Sequence, residues 1–135
     1  MTTTSTHRAA GNRRPADPLT RSLAVDAVVS AGTGVLLAAG SGLLDEVLGI
    51  PPGWLLGLGL FMVVYGIDVG LVAARPAWHR IAPAIVVGNS AWVTASIVLV
   101  LGGWFDLTAL GVAFVLAQAA IVAAFAVMQA RAVGR

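Results

Sequence analysis

The chain contains no cysteine and no lysine, and only 10% of its residues are charged. Each absence closes off some chemistry. Without cysteine there is no disulfide, no thiol nucleophile and no thiolate metal site. Without lysine there is no Gly-Lys-Ser/Thr cradle for phosphates. The two histidines, His7 and His79, fall outside the long apolar runs, so no intramembrane pair exists to ligate a haem. HExxH and GxSxG motifs are missing as well. Two intramembrane acids are present, yet nothing else supplies a nucleophile or an oxyanion site for them to serve. These gaps predict a protein that is not an enzyme and carries no cofactor.

The shortage of charge has a different consequence. A soluble globular protein is about 25% charged, whereas this one is 59% hydrophobic with a mean hydropathy of +0.92. A water-soluble unit of 135 residues cannot hide that much apolar surface, so lipid must act as the solvent. The sequence pI of about 10.5 is no nucleic-acid signature, because the arginines cluster at the ends of apolar runs and no basic helix carries interleaved aromatics. No nucleic-acid partner is expected.

Four runs, 22–44, 53–74, 81–103 and 107–130, each hold 22 to 24 residues. At 1.5 Å per residue each is long enough to cross a hydrocarbon core of about 30 Å. Arg8, Arg13, Arg14 and Arg21 precede the first run, Arg75 and Arg80 separate the second from the third, and Arg131 and Arg135 follow the fourth. The other two connections carry only acids, Asp45 and Glu46 in one and Asp106 in the other. Basic residues in short loops stay in the cytoplasm during insertion, which predicts cytoplasmic N and C termini in a bacterial inner (plasma) membrane. The residue usage, heavy in Ala, Val, Leu and Gly, fits a GC-rich bacterial genome. Short connections force successive helices antiparallel, giving an all-α up-down-up-down bundle over residues 21–131. Residues 1–20 read as a disordered cytoplasmic tail. The first run is too long for a signal-peptide core and carries Asp26, so no cleavage is expected.

Punctuation supports these limits. Pro51, Pro52 and Gly53 restart the chain as a helix, Arg75-Pro76 stops one, and Asp106 or Thr108 stands ready to cap the last. Trp54, Trp104 and Phe105 mark one interface and Trp78 the other. Small residues recur at four-residue spacing, as in Ser30/Gly34, Ala38/Gly42, Gly53/Gly57 and Gly66/Gly70. Such pairs let helices approach closely in lipid, either within the bundle or across a homo-oligomer seam.

Asp26 and Asp68 carry the functional question, because an acid in the bilayer costs roughly 2.5–3.5 kcal/mol at its centre. Asp26 lies roughly 7 Å along the helix from Arg21, and Asp68 roughly 10 Å from Arg75. Asn89 is slightly deeper, and Tyr65, with Ser30, Ser90 and Thr94, completes a candidate polar layer. Trp92, one turn from Asn89, either covers that layer or faces lipid. Either the acids pair with Arg75, Arg80 or Asn89 and lock one end of the bundle, or the layer is a proton or cation site. Gln118 is the deepest polar side chain and reads as interhelical glue. Gln129 falls at the interface.

Together, Asp26, the glycine-rich stretch from Ser30 to Gly42, Pro51-Pro52, Asn89-Ser-Ala-Trp92 and Thr108-Ala-Leu-Gly111 with Gln118 resemble a widespread family of small four-helix bacterial integral membrane proteins. The likeness spans about residues 20–131 and implies a fold, with no activity or site residues to carry over. Small multidrug exporters differ in placing a glutamate in the first span, where this chain has only aspartate. The expected role is a non-enzymatic structural or accessory membrane component, with a small transporter or channel using the Asp/Asn layer as the alternative. Expected neighbours are membrane lipids and, among proteins, further copies of the chain or a membrane partner.

Overall fold

The computed structural model describes residues 15–135. Five α-helices follow one another: α1 (Pro18–Ala39), α2 (Ser41–Leu48), α3 (Pro52–Ala74), α4 (Ala82–Gly102) and α5 (Ala109–Val133). A 3₁₀ turn over Pro76–Ile81 leads into α4. The helices α1, α3, α4 and α5 are long and apolar enough to cross a membrane, which marks a multi-pass membrane protein. No strand occurs among the described residues.

The boundaries differ from the sequence reading where local capping intervenes. Asp17 accepts a hydrogen bond from the Thr20 backbone N–H at 2.7 Å, and Pro18 takes the first helical position. The first span therefore starts inside the stretch read as tail; the expected disorder over residues 1–14 lies outside the described residues. At its far end α1 stops at Ala39 instead of running on to Leu44, because Gly40 and Gly42 flank Ser41 and weaken the helix there. The chain bends and starts α2, which turns Leu48 inward and exposes Leu43 and Val47. Gly49, at φ 74°, closes α2 in the left-handed region that L side chains avoid.

Thr108 fastens this end of the bundle. Its hydroxyl accepts from the Gly111 N–H at 2.9 Å, so it, and not Asp106, caps α5. The same hydroxyl donates to the Val47 carbonyl, and the Thr108 N–H donates to the Leu48 carbonyl at 3.2 Å. Two carbonyls that α2 leaves unpaired at its C-terminus are thereby satisfied by one residue far along the chain, 61 positions from Val47. Gly111 lies so close to Leu48 that a Cβ there would strike its carbonyl oxygen.

Around the bundle the neighbours run α3, α1, α5, α4. The α1–α3 seam is backbone to backbone. A Cβ added to Gly59 would sit 2.5 Å from the Ala38 nitrogen and 2.6 Å from the Gly34 oxygen. One added to Gly66 would sit 2.7 Å from the Ala31 nitrogen. Dispersion and close approach, not hydrophobicity, hold helices together in lipid, and these glycines supply the approach. Gly53 and Gly57 instead face outward with open space above them. Two apolar cores result: Leu37, Leu48, Ile50, Leu55, Met62 and Val115 at the acidic-loop end, and Leu23, Ala27, Val69, Val72 and Ala73 at the arginine-bearing end.

Candidate buried polar site

Beside the second core, all four spanning helices contribute polar side chains to a single network, α1 two of them and the others one each. Asp26 of α1 is fully buried. Its Oδ1 accepts from the Ser30 hydroxyl at 3.0 Å, one turn along the same helix. Its Oδ2 accepts from Asn89 Nδ2 of α4 at 2.9 Å and from Gln129 Nε2 of α5 at 2.7 Å. Asn89 Nδ2 also donates to Gln129 Oε1 at 3.0 Å, and Asn89 Oδ1 accepts from the Tyr65 hydroxyl of α3 at 2.6 Å. All three donors to the carboxyl are neutral. Among the described residues no arginine reaches it, so neither Arg75 nor Arg80 plays the counterion role weighed above. Arg75 instead lies over the Trp78 ring, 4.3 Å from its centroid.

Of the acids weighed together in the sequence, only Asp26 belongs to this network. Asp68 is exposed on the outer surface of α3, because it follows Phe61 by seven residues and shares that helix's outward face. Ser90 and Thr94 stay out as well: each hydroxyl bonds the carbonyl four residues back, at 2.8 and 3.0 Å. Gln129 is the residue that sequence reasoning missed. Helix α5 runs on to Val133, three residues past the expected end, so Gln129 lies a full turn inside the helix and is completely buried.

Trp92 and Gln118 form a second polar contact nearer the acidic-loop end. The Trp92 indole N–H donates to Gln118 Oε1 at 2.7 Å, and Gln118 Nε2 donates to the Ser96 hydroxyl at 2.9 Å. Trp92 thus bridges α4 and α5, and its ring stacks on Phe61 of α3 (centroids 5.8 Å, planes 10° apart). Phe61 stacks in turn on Tyr65 at 6.4 Å. The column Tyr65–Phe61–Trp92 is pinned at one end by Asn89 and at the other by Gln118.

This column holds α3 and α4 apart. Two cavities occupy the resulting seam. One, of about 230 Å³, touches Ser30, Tyr65 and Asn89 and is also lined by Gly88 and by Phe61, which is 56% exposed. The other, of about 190 Å³, is lined mainly by apolar side chains, including Leu55, Leu58, Leu99 and Phe114. Met62 and Trp92 form walls of both. No group of three or more metal-ligating side chains occurs among the described residues. Compared with protein-family models, curated proteins and solved structures, the chain matches none.

Proposed function

We propose that this chain is a bacterial inner-membrane protein of structural or accessory type, without enzymatic activity, akin to other small four-helix bacterial membrane proteins. Both termini are cytoplasmic in this reading, in line with the arginines at one end of the bundle and Asp45, Glu46 and Asp106 at the other. The observation that carries it is the Asp26 network. A fully buried carboxyl bonded to α4 and α5, and through Asn89 to α3, ties the four spans into one arrangement. Buried polar groups in lipid need partners, and within this network every side chain has one, which makes the layer a lock on helix register. Liposomes test the role: the wild type and Asp26→Asn should conduct protons and monovalent cations no faster than empty vesicles. Flux through the wild type that disappears in Asp26→Asn would overturn it. For the orientation, a reporter active only in the periplasm should stay silent at either terminus.

A transport reading has one observation in its favour. The cavity against Tyr65 and Asn89 brings open volume to the edge of the layer. The same flux measurement separates the two readings.

A further inference from the structure

We propose that the outer face of α3 docks a transmembrane helix of another protein, one that carries an arginine or lysine at the depth of Asp68. This names a class of partner for the accessory reading and rests on that reading.

Asp68 carries the argument. It lies six residues before the end of α3 at Ala74, about 9 Å along the helix, and it is exposed on the outer surface of a span. Acids inside spans as a rule face the bundle interior or a water-filled cavity, paired with another group. Asp26 obeys that rule and Asp68 does not. Among the described residues nothing pairs with it, and Arg75, two turns on, lies over the Trp78 ring instead. The carboxyl is also poorly placed to reach headgroups at the nearer end. Helix α3 runs from the acidic loop toward the arginines, and Cα–Cβ bonds tilt toward a helix's N-terminus. The short side chain is therefore directed deeper into the bilayer.

The face around it has the spacing of a helix seam. Gly57, Phe61, Val64, Asp68 and Leu71 follow one another at intervals of four, three, four and three residues, and all five are exposed. That alternation keeps one stripe in register with a neighbouring helix that crosses at about 20°. Gly57 has open space above it, so a partner backbone can approach closely three turns from Asp68. Lipid requires neither the register nor the acid.

Charge selects the occupant. An unpaired acid in hydrocarbon is satisfied by a cation on a facing span. A second copy of this chain cannot supply it, because there is no lysine and all eight arginines fall outside the apolar stretches. A two-fold seam on this face would instead set Asp68 against its own copy. The fitting partner is a different protein with one basic residue inside a span, placed toward the arginine-bearing end of this bundle.

The test uses the full chain with a donor dye at Leu43→Cys, an exposed position in a protein that has no other thiol. It is reconstituted in phosphatidylcholine vesicles with acceptor-labelled synthetic Leu/Ala helices of membrane-spanning length. One helix has a single arginine six residues from its end, and its control has leucine there. Energy transfer should saturate with the arginine helix, and the control should associate about ten-fold more weakly. Asp68→Asn and Gly57→Leu should each weaken the arginine helix several-fold and leave the control unchanged. Both positions are exposed and outside the buried network, so neither variant removes a contact that the fold needs. Equal association of the control, absence of saturation, or unaltered affinity in either variant would each overturn the proposal. So would energy transfer between copies of the chain alone that is lost in Asp68→Asn, which would give the face to a second copy. Any of these in vesicles that stay tight to protons removes the partner and leaves the accessory role standing. Proton flux through the wild type removes both.

Discussion

Helix α3 has two seams, and they are built on opposite plans. Toward α1 it presents Gly59 and Gly66, and backbone meets backbone. Toward α4 it presents Phe61 and Tyr65, and only side chains meet. The first seam gains dispersion where Gly34, Gly59 and Gly66 bring the two backbones together. The second concentrates its energy in one hydrogen bond and one ring stack, and leaves cavities on either side of Met62 and Trp92. Rigidity and capacity are thus divided between two faces of one helix. The tight face sets the frame, and the loose face provides the volume and the accessible polar groups.

The largest effect should come from destroying that difference. Gly59→Leu would drive a side chain into the Ala38 nitrogen and the Gly34 oxygen, and no rotamer relieves a clash that begins at Cβ. Overpacking by a few methylenes already costs about 1–3 kcal/mol, so a backbone separation should cost at least the upper end of that. Gly57→Leu, two residues away and facing open space, should be tolerated. Thermal unfolding of the two variants in detergent checks the pair. Equal behaviour would mean that the close approach contributes nothing.

The two acids make a second comparison. Asp26→Leu removes three hydrogen bonds and strands the polar atoms of Ser30, Asn89 and Gln129 in an apolar interior. With interhelical bonds in membranes averaging about 0.6 and reaching about 1.7 kcal/mol each, the loss should be about 2–4 kcal/mol. Asp68→Leu removes an exposed acid from the α3 surface and should be neutral or mildly stabilising. Melting midpoints that fall alike in both would contradict the assignment of only one of them to the layer.

How much of this was legible beforehand depends on the kind of signal. Span number, antiparallel order and the two ends of the bundle follow from run length and arginine placement, which are one-dimensional. Asp26, Asn89 and Tyr65 were picked out because polar residues are scarce in apolar runs. Asp68 carries the same signal, yet it faces outward: scarcity marks depth and says nothing of azimuth. Gln129 escaped notice because a three-residue error in the end of α5 moved it from the interface into the core. The glycine pairs show the same limit. Gly53/Gly57 and Gly66/Gly70 have identical spacing, but it is Gly66, with Gly59 and Gly34, that meets a partner backbone closely. The break at Gly40 was readable in principle from two glycines around one serine, but an apolar window passes straight over it.

A milder perturbation sharpens the loose seam. Trp92→Phe keeps the stack on Phe61 and loses only the indole N–H bond to Gln118. One interhelical bond is worth about 0.6–1.7 kcal/mol. Gln118 Nε2 keeps Ser96 and the Val115 carbonyl, but Gln118 Oε1 loses its donor, so the upper figure is expected. Phe61→Ala should cost about the same through the lost ring stack and should also enlarge the cavity that Phe61 lines. A double-mutant cycle on Phe61 and Trp92 reads the coupling directly, and a zero interaction energy would dissolve the column into two independent rings.

The smallest effect lies outside both seams, at the exposed cap of α1. The Thr20 backbone N–H, the largest influence on it, holds the Asp17 carboxyl below the ordinary carboxylate range. An acid whose value is depressed in the folded state stabilises that state above its unfolded value, and the contribution disappears as pH falls through the folded one. Stability should therefore be flat from neutral pH down to the usual aspartate range and decline slightly below it, as the cap is protonated. Asp17→Asn retains a capping oxygen without the charge, so it should remove that share of the acid-side decline and leave the neutral-pH value nearly unchanged. Because α1 is the helix that Gly59 and Gly66 grip, fraying at Asp17 has only its first turn to act on. Should the variant shift the melting point at neutral pH as much as Trp92→Phe does, α1 would be held at its cap as firmly as α4 is held at its indole, and the division of labour between the two faces of α3 would no longer account for where the bundle is strong.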